Sequence, residues 1–320
     1  MFSEHFELRE LTRGIHAVID APGGAAHCNA GIIDLGDRTI VFDTFETPKA
    51  ARDLKTMAKH ITGRSASLVI NSHAHFDHWL GNQAFSARTP IVTASRARTQ
   101  MAELVAYVAG LREDPSELEE LLRQSEERLL ITDDELELAA VELTITKMKN
   151  RIEAIPTWDP RVPDYAFDGH LEIHGTERAA VLYTFGKGHS ESDCFLLLPD
   201  DSIVFAGDLA HFQQQPFMGS CDAKAWTEQI EFLEAMDVVI IVPGHGPVGT
   251  KTEIGLQKRY INEVHALVKQ AREHGKSLDE ALKLRLPIPF DAWQDQDRSR
   301  FATNVRAEYI RRSDAERGGR

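Results

Sequence analysis

Residues 73 to 78 read His73-Ala74-His75-Phe76-Asp77-His78, four metal-competent side chains in six positions, directly behind the apolar run Leu68-Val69-Ile70. Such a run reads as a buried strand, and a loop leaving the carboxyl end of a rigid strand can aim several ligands at one point. The pattern recurs downstream. Val181-Leu182-Tyr183 leads to Gly186-Lys187-Gly188-His189-Ser190, Ile203-Val204-Phe205 to Gly207-Asp208, and Val239-Ile240-Ile241-Val242 to Pro243-Gly244-His245-Gly246-Pro247. A histidine-rich surface loop accounts for one cluster; three further strand-then-ligand repeats, each beside glycine, do not arise readily by chance. Neutral imidazoles and carboxylates are ligands that zinc takes, and packing them this tightly suits two metals rather than one. The chain reads as the holder of a hydrolytic metal centre.

Period and punctuation organise the rest. From Gly14 to Phe42, short apolar runs alternate with glycine-rich breaks, which suits antiparallel strands and hairpins. Pro48 opens a helical pattern over 48–62, with Ala50, Leu54, Met57, Ala58 and Ile61 at helical spacing. A second strand-rich stretch runs from about Leu171 to Phe205, followed by a helix near 222–235 and a strand Val238 to Val242. Between the two halves, roughly residues 95–165, Met101, Leu104, Val105, Val108 and Leu111 recur at helical spacing, as do Leu118, Leu121, Leu122 and Leu129. From Met101 to Ile155 this stretch holds 14 acidic and 6 basic residues, a balance of -8 within a chain total of -14. It is expected to be either a lid beside the metals or a dimer-forming arm, because its apolar faces must be buried somewhere. From about Thr252 the pattern is again helical, with Ile261, Val264, Val268 and Ala271 on one face and a second helix opening at Ser277. Pro287-Ile288-Pro289-Phe290 reads as a break, and Arg311-Arg312 to Arg320 as a frayed polar end.

The order HxHxDH, Gly-His-Ser, Gly-Asp and Pro-Gly-His-Gly, with Asp43-Thr44 behind Ile40-Val41-Phe42, resembles the metallo-β-lactamase-fold superfamily of metallohydrolases over roughly residues 12 to 250. The resemblance implies an α/β fold, a four-layer αβ/βα sandwich, here a domain of residues 1–250 interrupted at about 95–165 and followed by a helical extension over 251–320. It implies two Zn²⁺ ions per chain, with iron or manganese as alternatives. His73, His75 and His189 would hold the first metal; Asp77, His78 and His245 the second; Asp208 would bridge them. Asp43 would orient a ligand from behind.

Function follows as an expectation. A metal-bridging hydroxide would attack a small ester, lactone, thioester or amide, Asp77 would hold the water and pass a proton to the leaving group, and His211 would hydrogen-bond the attacked oxygen. The alternatives are a mononuclear iron sulfur dioxygenase and a promiscuous β-lactamase-like activity. A net charge of -14 without a basic stripe disfavours a nucleic-acid partner. The start shows no basic and apolar leader, and no apolar run approaches the ~20 residues that span a bilayer, so a cytoplasmic protein with a small-molecule substrate and no membrane partner is expected. A homodimer through the insertion is the one protein partner foreseen. Cys28, Cys194 and Cys221 lack CxxC spacing and are assigned to no metal. His27 and Asn29, in a loop ahead of the strand at Ala30, either face the metals or are turn residues, the turn being favoured; Trp79, and Trp158 or Phe217, either form an apolar wall or, as aromatics more often do, belong to the core; His16, His60, His170, His174, His265 and His274 read as surface or core histidines.

Overall fold

The computed structural model describes residues 2–133, 135–286, 289–290, 293 and 300–318. Two sheets face one another. The first runs β1 (Phe6–Thr12), β2 (Ile15–Asp20), β3 (Ala30–Asp34), β4 (Thr39–Phe42), β5 (Leu68–Ile70), β6 (Ile91–Ala94) and β7 (Tyr165–Phe167) in spatial order. Its first four strands form an antiparallel meander, and β4 to β7 lie parallel. The second is β12-β11-β10-β9-β8, made of β8 (His170–His174), β9 (Ala179–Gly186), β10 (Asp193–Leu198), β11 (Ile203–His211) and β12 (Ile240–His245). In this sheet only β11 and β12 pair parallel.

The unbroken apolar runs are explained by burial on both faces. In β4, Ile40 and Phe42 enter the layer between the sheets while Val41 turns outward toward helix α1 (Pro48–Thr62). In β11, Ile203 and Phe205 point inward while Val204 and Ala206 pack outward with Trp226 and Ile230 of helix α6 (Ala223–Ala235) and with Ile254 and Ile261 of α7 (Lys251–Glu273). Helices thus cover both outer faces, giving the expected four layers. The helix over 48–62 has the expected bounds; Thr47 caps it, its hydroxyl accepting from the Ala50 amide, and Gly63 ends it at φ 69°. Helix α7 starts in a capping box between Thr250 and Glu253, and α8 (Leu278–Ala281) in one between Ser277 and Glu280.

Following the tight turn α2 (Phe76–Trp79), three helices fill the interval between β6 and β7: α3 (Ser95–Glu113), α4 (Ser116–Ile131) and α5 (Glu135–Ala154). Met101, Val108 and Leu111 of α3 join Trp79, Leu80, Ala154, Ile155 and Trp158 in one apolar cluster. Helix α5 is fixed to the body by polar contacts: Lys147 Nζ lies 3.1 Å from Asp20 Oδ2, Asn150 Nδ2 donates to the Gly24 carbonyl at 3.0 Å, and Arg151 pairs with Glu46. The insertion therefore packs on its own chain, beside the metal-binding motifs.

Of the two readings for Trp79 and Trp158, the core one holds: they lie in the cluster under the insertion, and neither lines the main cavity. Two expectations need correction. The last strand starts at Ile240, not Val238, and runs on to His245. The polar end is no frayed coil: α9 (Arg300–Gly318) is helical, and Arg311 and Arg312 both reach the buried Glu308, whose carboxylate also lies 2.7 Å from His265 Nδ1. Opposite charge around an almost solvent-free carboxylate keeps the arginines in place. The proposed break at Pro287 and Ile288, and Arg320, lie outside the described residues.

Candidate metal centre

The ends of β4, β5, β9, β11 and β12 meet at one edge of the sandwich, and the sequence motifs converge there. Asp208, near the end of β11, stands at the middle with one carboxylate oxygen toward each of two groups. Its Oδ2 lies 3.6 Å from His73 Nε2 and 3.3 Å from His189 Nε2, and both of those nitrogens are within 3.1 Å of His75 Nδ1. Its Oδ1 lies 3.1 Å from His78 Nε2 and 3.3 Å from His245 Nε2, and Asp77 Oδ2 is 3.5 and 3.3 Å from the same two nitrogens. All seven residues named from the sequence are thus brought together in the two predicted triads with Asp208 between them. Around a tetrahedral ion with bonds of about 2.0–2.1 Å, neighbouring donors sit roughly 3.3 Å apart. The observed spacings fit that figure.

The glycines beside these ligands are there for approach. A Cβ on Gly244 would stand 2.0 Å from Asp208 Oδ1, and one on Gly207, at φ 53°, would meet the Ser72 side chain at 2.5 Å. Behind the ligands, Asp43 occupies left-handed backbone at φ 57° and accepts from the Ser72 amide at 2.7 Å and the Ser72 hydroxyl at 2.8 Å. Its Oδ2 is 2.7 Å from His78 Nδ1. A carboxylate there accepts from Nδ1–H, so that Nε2, facing Asp208, is the nitrogen that would serve as a metal ligand.

Charge and burial support a cation site. Burial alone would raise the Asp77 and Asp208 carboxyls, yet the imidazoles around them hold both well below the usual carboxylate range. Burial, joined by the neighbouring imidazoles, lowers His73 and takes His75 down to about 3, so both rings are neutral. Burial also acts to lower His245, but the Asp208 and Asp77 carboxylates outweigh it and lift the ring to about 9. His78 Nε2 and Asp208 Oδ1 are cut off from solvent and make no hydrogen bond, although buried polar atoms are seldom left in that state. Burial acts to lower His78 too, but the carboxylates around it outweigh that and hold it well above the usual imidazole range. Neutral His73 and His75, ionised Asp77 and Asp208, and the orphaned inward-facing atoms form a donor set that a pair of divalent cations would complete by displacing the protons on His78 and His245.

Above the ligands opens a cavity of about 590 Å³. Asp77, Asp208, His75 and His245 form its floor; Leu118 and Leu121 of α4 and Lys147, Met148 and Arg151 of α5 form one wall; Phe217 and Arg300 form another. The insertion accordingly acts as a wall of the cavity. His211 borders the same space, its Nε2 3.5 Å from Asp208 Oδ2 and its ring stacked on His245 at 5.0 Å. Burial holds His211 down to about 4 despite Asp208, so it is a neutral ring.

The region from residue 23 to residue 245 matches the family model described as Metallo-beta-lactamase superfamily. The chain belongs to that superfamily. Among curated relatives of the superfamily, a metallo-beta-lactamase type 2 from Bacteroides fragilis is 26% identical over 107 residues, 32% of this chain and 43% of that protein. The match spans less than half of that relative's length. Among solved structures, a metallo-beta-lactamase from Pontibacter korlensis superposes with a TM-score of 0.57 at 16% identity, covering 80% of this chain and 99% of that one. The stereoselective inverting sec-alkylsulfatase Pisa1 from Pseudomonas sp. reaches a TM-score of 0.67 at 16% identity, over 96% of this chain and 50% of its own. At such identities the likeness is one of fold.

For His27 and Asn29 the sequence favoured a turn over a place beside the metals, and the structure builds both into the site. Asn29 Nδ2 donates to the Pro243 carbonyl at 2.9 Å and the Gly246 carbonyl at 2.8 Å, bracing the loop that carries His245. His27 is buried and borders the cavity, its Nδ1 2.5 Å from the buried Glu46 Oε2. No local signal exposes either role, since the partners are distant in sequence. Cys28 donates its thiol to the Asp77 carbonyl at 2.8 Å, and burial pushes that thiol up. Its sulfur also lies within ligand reach of Asp77 and His78, but a buried thiol that stays protonated and donates to a carbonyl is a weaker ligand than the imidazoles and carboxylates around it. Cys194 is a core residue between the sheets, as expected. Among the described residues, no helix is long and apolar enough to cross a membrane.

Proposed function

We propose that this chain is a dinuclear metal-dependent hydrolase, with zinc as the resident ion, that cleaves a small ester, lactone, thioester or amide. One observation carries the reading: the two oxygens of Asp208 face two separate triads, His73-His75-His189 and Asp77-His78-His245, at 3.1–3.6 Å. Two bound metals would supply Lewis acidity and an activated water at neutral pH.

The chain's own residues do the rest. Asp77, on the floor of the cavity and ionised, accepts a proton from the attacking water and returns it to the leaving group. Neutral His211 donates from Nε2 toward the oxygen on which charge develops. Leu118, Leu121, Met148 and Phe217 displace water from the acyl portion, which strengthens each of these interactions. A mononuclear iron centre would leave the second triad without use, so the dioxygenase alternative is disfavoured. The small-molecule substrate fits the size of the cavity, and a cytoplasmic location stays part of the proposal.

The test is metal analysis followed by a screen of p-nitrophenyl esters, lactones, thioesters, a β-lactam and a secondary alkyl sulfate. The sulfate is included because of the fold likeness to Pisa1. Close to two equivalents of zinc, with activity lost on chelation and restored by metal, are expected. One tightly bound iron with oxygen uptake on a persulfide would refute the reading.

A further inference from the structure

One buried group remains outside these roles. His27 sits on left-handed backbone at φ 75°, a conformation that costs a bulky side chain energy and persists where surrounding contacts impose it. Those contacts are visible. Its amide donates to Asp20 Oδ1 at 3.0 Å and its ring to Glu46 at 2.5 Å, while Glu46 is itself held by Arg151, Nε to Oε1 at 2.6 Å and Nη2 to Oε2 at 3.1 Å. Nδ1 donates its N–H to the carboxylate, and in that tautomer Nε2 is the acceptor. His27 is 4% exposed, it borders the cavity that holds Asp77, Asp208 and His245, and Nε2 has no hydrogen-bond partner. Strain, a fixed tautomer and an orphaned acceptor on a pocket wall mark a place prepared for a ligand atom.

We propose that His27 Nε2 is a specificity-determining acceptor, taking a hydrogen bond from a hydroxyl or amide N–H that the substrate carries beside the bond to be cleaved. Glu46 is a positioning residue that acts through His27. The substrate class is thereby narrowed to hydroxyacyl or acylamino compounds. The inference rests on the hydrolase reading for the word substrate, and on geometry alone for the acceptor. A pocket built to pair with a donor discriminates strongly against the analogue lacking it, because its own polar atom is left unpaired.

The experiment uses the zinc-loaded full chain and its His27→Phe and Glu46→Gln variants. The probes are p-nitrophenyl butanoate, p-nitrophenyl 3-hydroxybutanoate and p-nitrophenyl N-acetylglycinate. Binding of the corresponding free acids is read from the histidine ¹⁵N signals. The wild type is expected to prefer at least one donor-bearing ester by about tenfold or more in kcat/KM. His27→Phe should bring that ratio to near one with metal content unchanged, and Glu46→Gln should lie between. In the wild type, the His27 Nε2 signal should move with the matching donor-bearing acid and not with butanoate. Equal kcat/KM for all three esters, or a preference that survives in His27→Phe, overturns the proposal. If no ester is cleaved while the Nε2 signal still moves selectively, the hydrolase reading falls and the acceptor stands. If the signal does not move with either donor-bearing acid, the acceptor falls. The wild-type signal decides even where a variant fails to fold.

Discussion

Replacing Asp43 by asparagine separates the two halves of the centre. Asparagine has nearly the same shape and tolerates the φ of 57° that Asp43 adopts, so the backbone turn is retained. The oxygen that accepts from the Ser72 amide can also be kept. What changes is the group 2.7 Å from His78 Nδ1, because an amide NH₂ there donates where a carboxylate accepted. His78 then accepts at Nδ1 and carries its proton on Nε2, the nitrogen 3.1 Å from Asp208 Oδ1. A protonated Nε2 cannot bind metal, and the ring must give up its new hydrogen bond to do so. Loss of such a supporting carboxylate weakens affinity by about 10- to 100-fold, roughly 1.4–2.7 kcal/mol. His73, His75 and His189 do not touch Asp43 directly; His73 is reached only through the Ser72 hydroxyl at 3.0 Å. Zinc titration against a competing chelator should therefore show two steps in Asp43→Asn, one within about threefold of the wild type and one at least tenfold weaker. Equal weakening of both steps, or no weakening, would refute the assignment of Asp43 to the His78 half.

Four further outcomes are expected. Gly244→Ala should lose most of its metal and destabilise the fold, since the new Cβ stands 2.0 Å from Asp208 Oδ1; metal content and thermal melting check this. His211→Phe should keep both metals but lower turnover roughly a hundred- to a thousandfold, about 2.7–4 kcal/mol of lost stabilisation, and a change within threefold would make His211 a bystander. Asn304 accepts from the Met218 amide at 2.9 Å and donates to the Pro216 carbonyl at 2.8 Å and the Tyr260 hydroxyl at 3.0 Å, so Asn304→Ala should cost about 2–3 kcal/mol in urea unfolding and raise KM by loosening Phe217. Glu46 is buried, which alone would raise it, but Arg151 and His27 bring it down to about 2 from an ordinary 4.5. A depressed carboxyl stabilises the fold above its unfolded value and loses that contribution as pH falls toward 2. The stability gap between wild type and Glu46→Gln should accordingly shrink by about 1 kcal/mol between pH 6 and pH 4 in denaturant titrations.

The ligand set was legible because each ligand follows a strand with an apolar run; β9 before His189 alternates, while most of these strands are buried on both faces. Ile203-Val204-Phe205 before Asp208 and Ile240-Ile241-Val242 before His245 are of that kind. The extent of β11 was not legible: it runs through Asp208 to His211 because its parallel pairing with β12 resumes at His211 and His245 after a register shift near Gly207. His27 looked like a turn residue because its partner Glu46 lies 19 positions away and Arg151, which holds Glu46, a further 105. The tail was misjudged for a related reason, since a run of arginines reads as solvated until a buried partner such as Glu308 is known. Hydrophobic period reports burial well; it carries no information on which distant polar groups will meet.

The insertion leaves the sheet at the end of β6 and returns at β7, and these neighbours pair in register, Ala94 beside Phe167. Because departure and return are adjacent, the segment can be lengthened, shortened or exchanged at little entropic cost and without shifting a strand. None of the seven candidate ligands lies on it, while one wall of the cavity does. On the proposed function, the ligand set and one wall of the cavity are thereby inherited separately: a graft of a different segment between those two strands would reshape that wall while the ligand set and His27 stay in place.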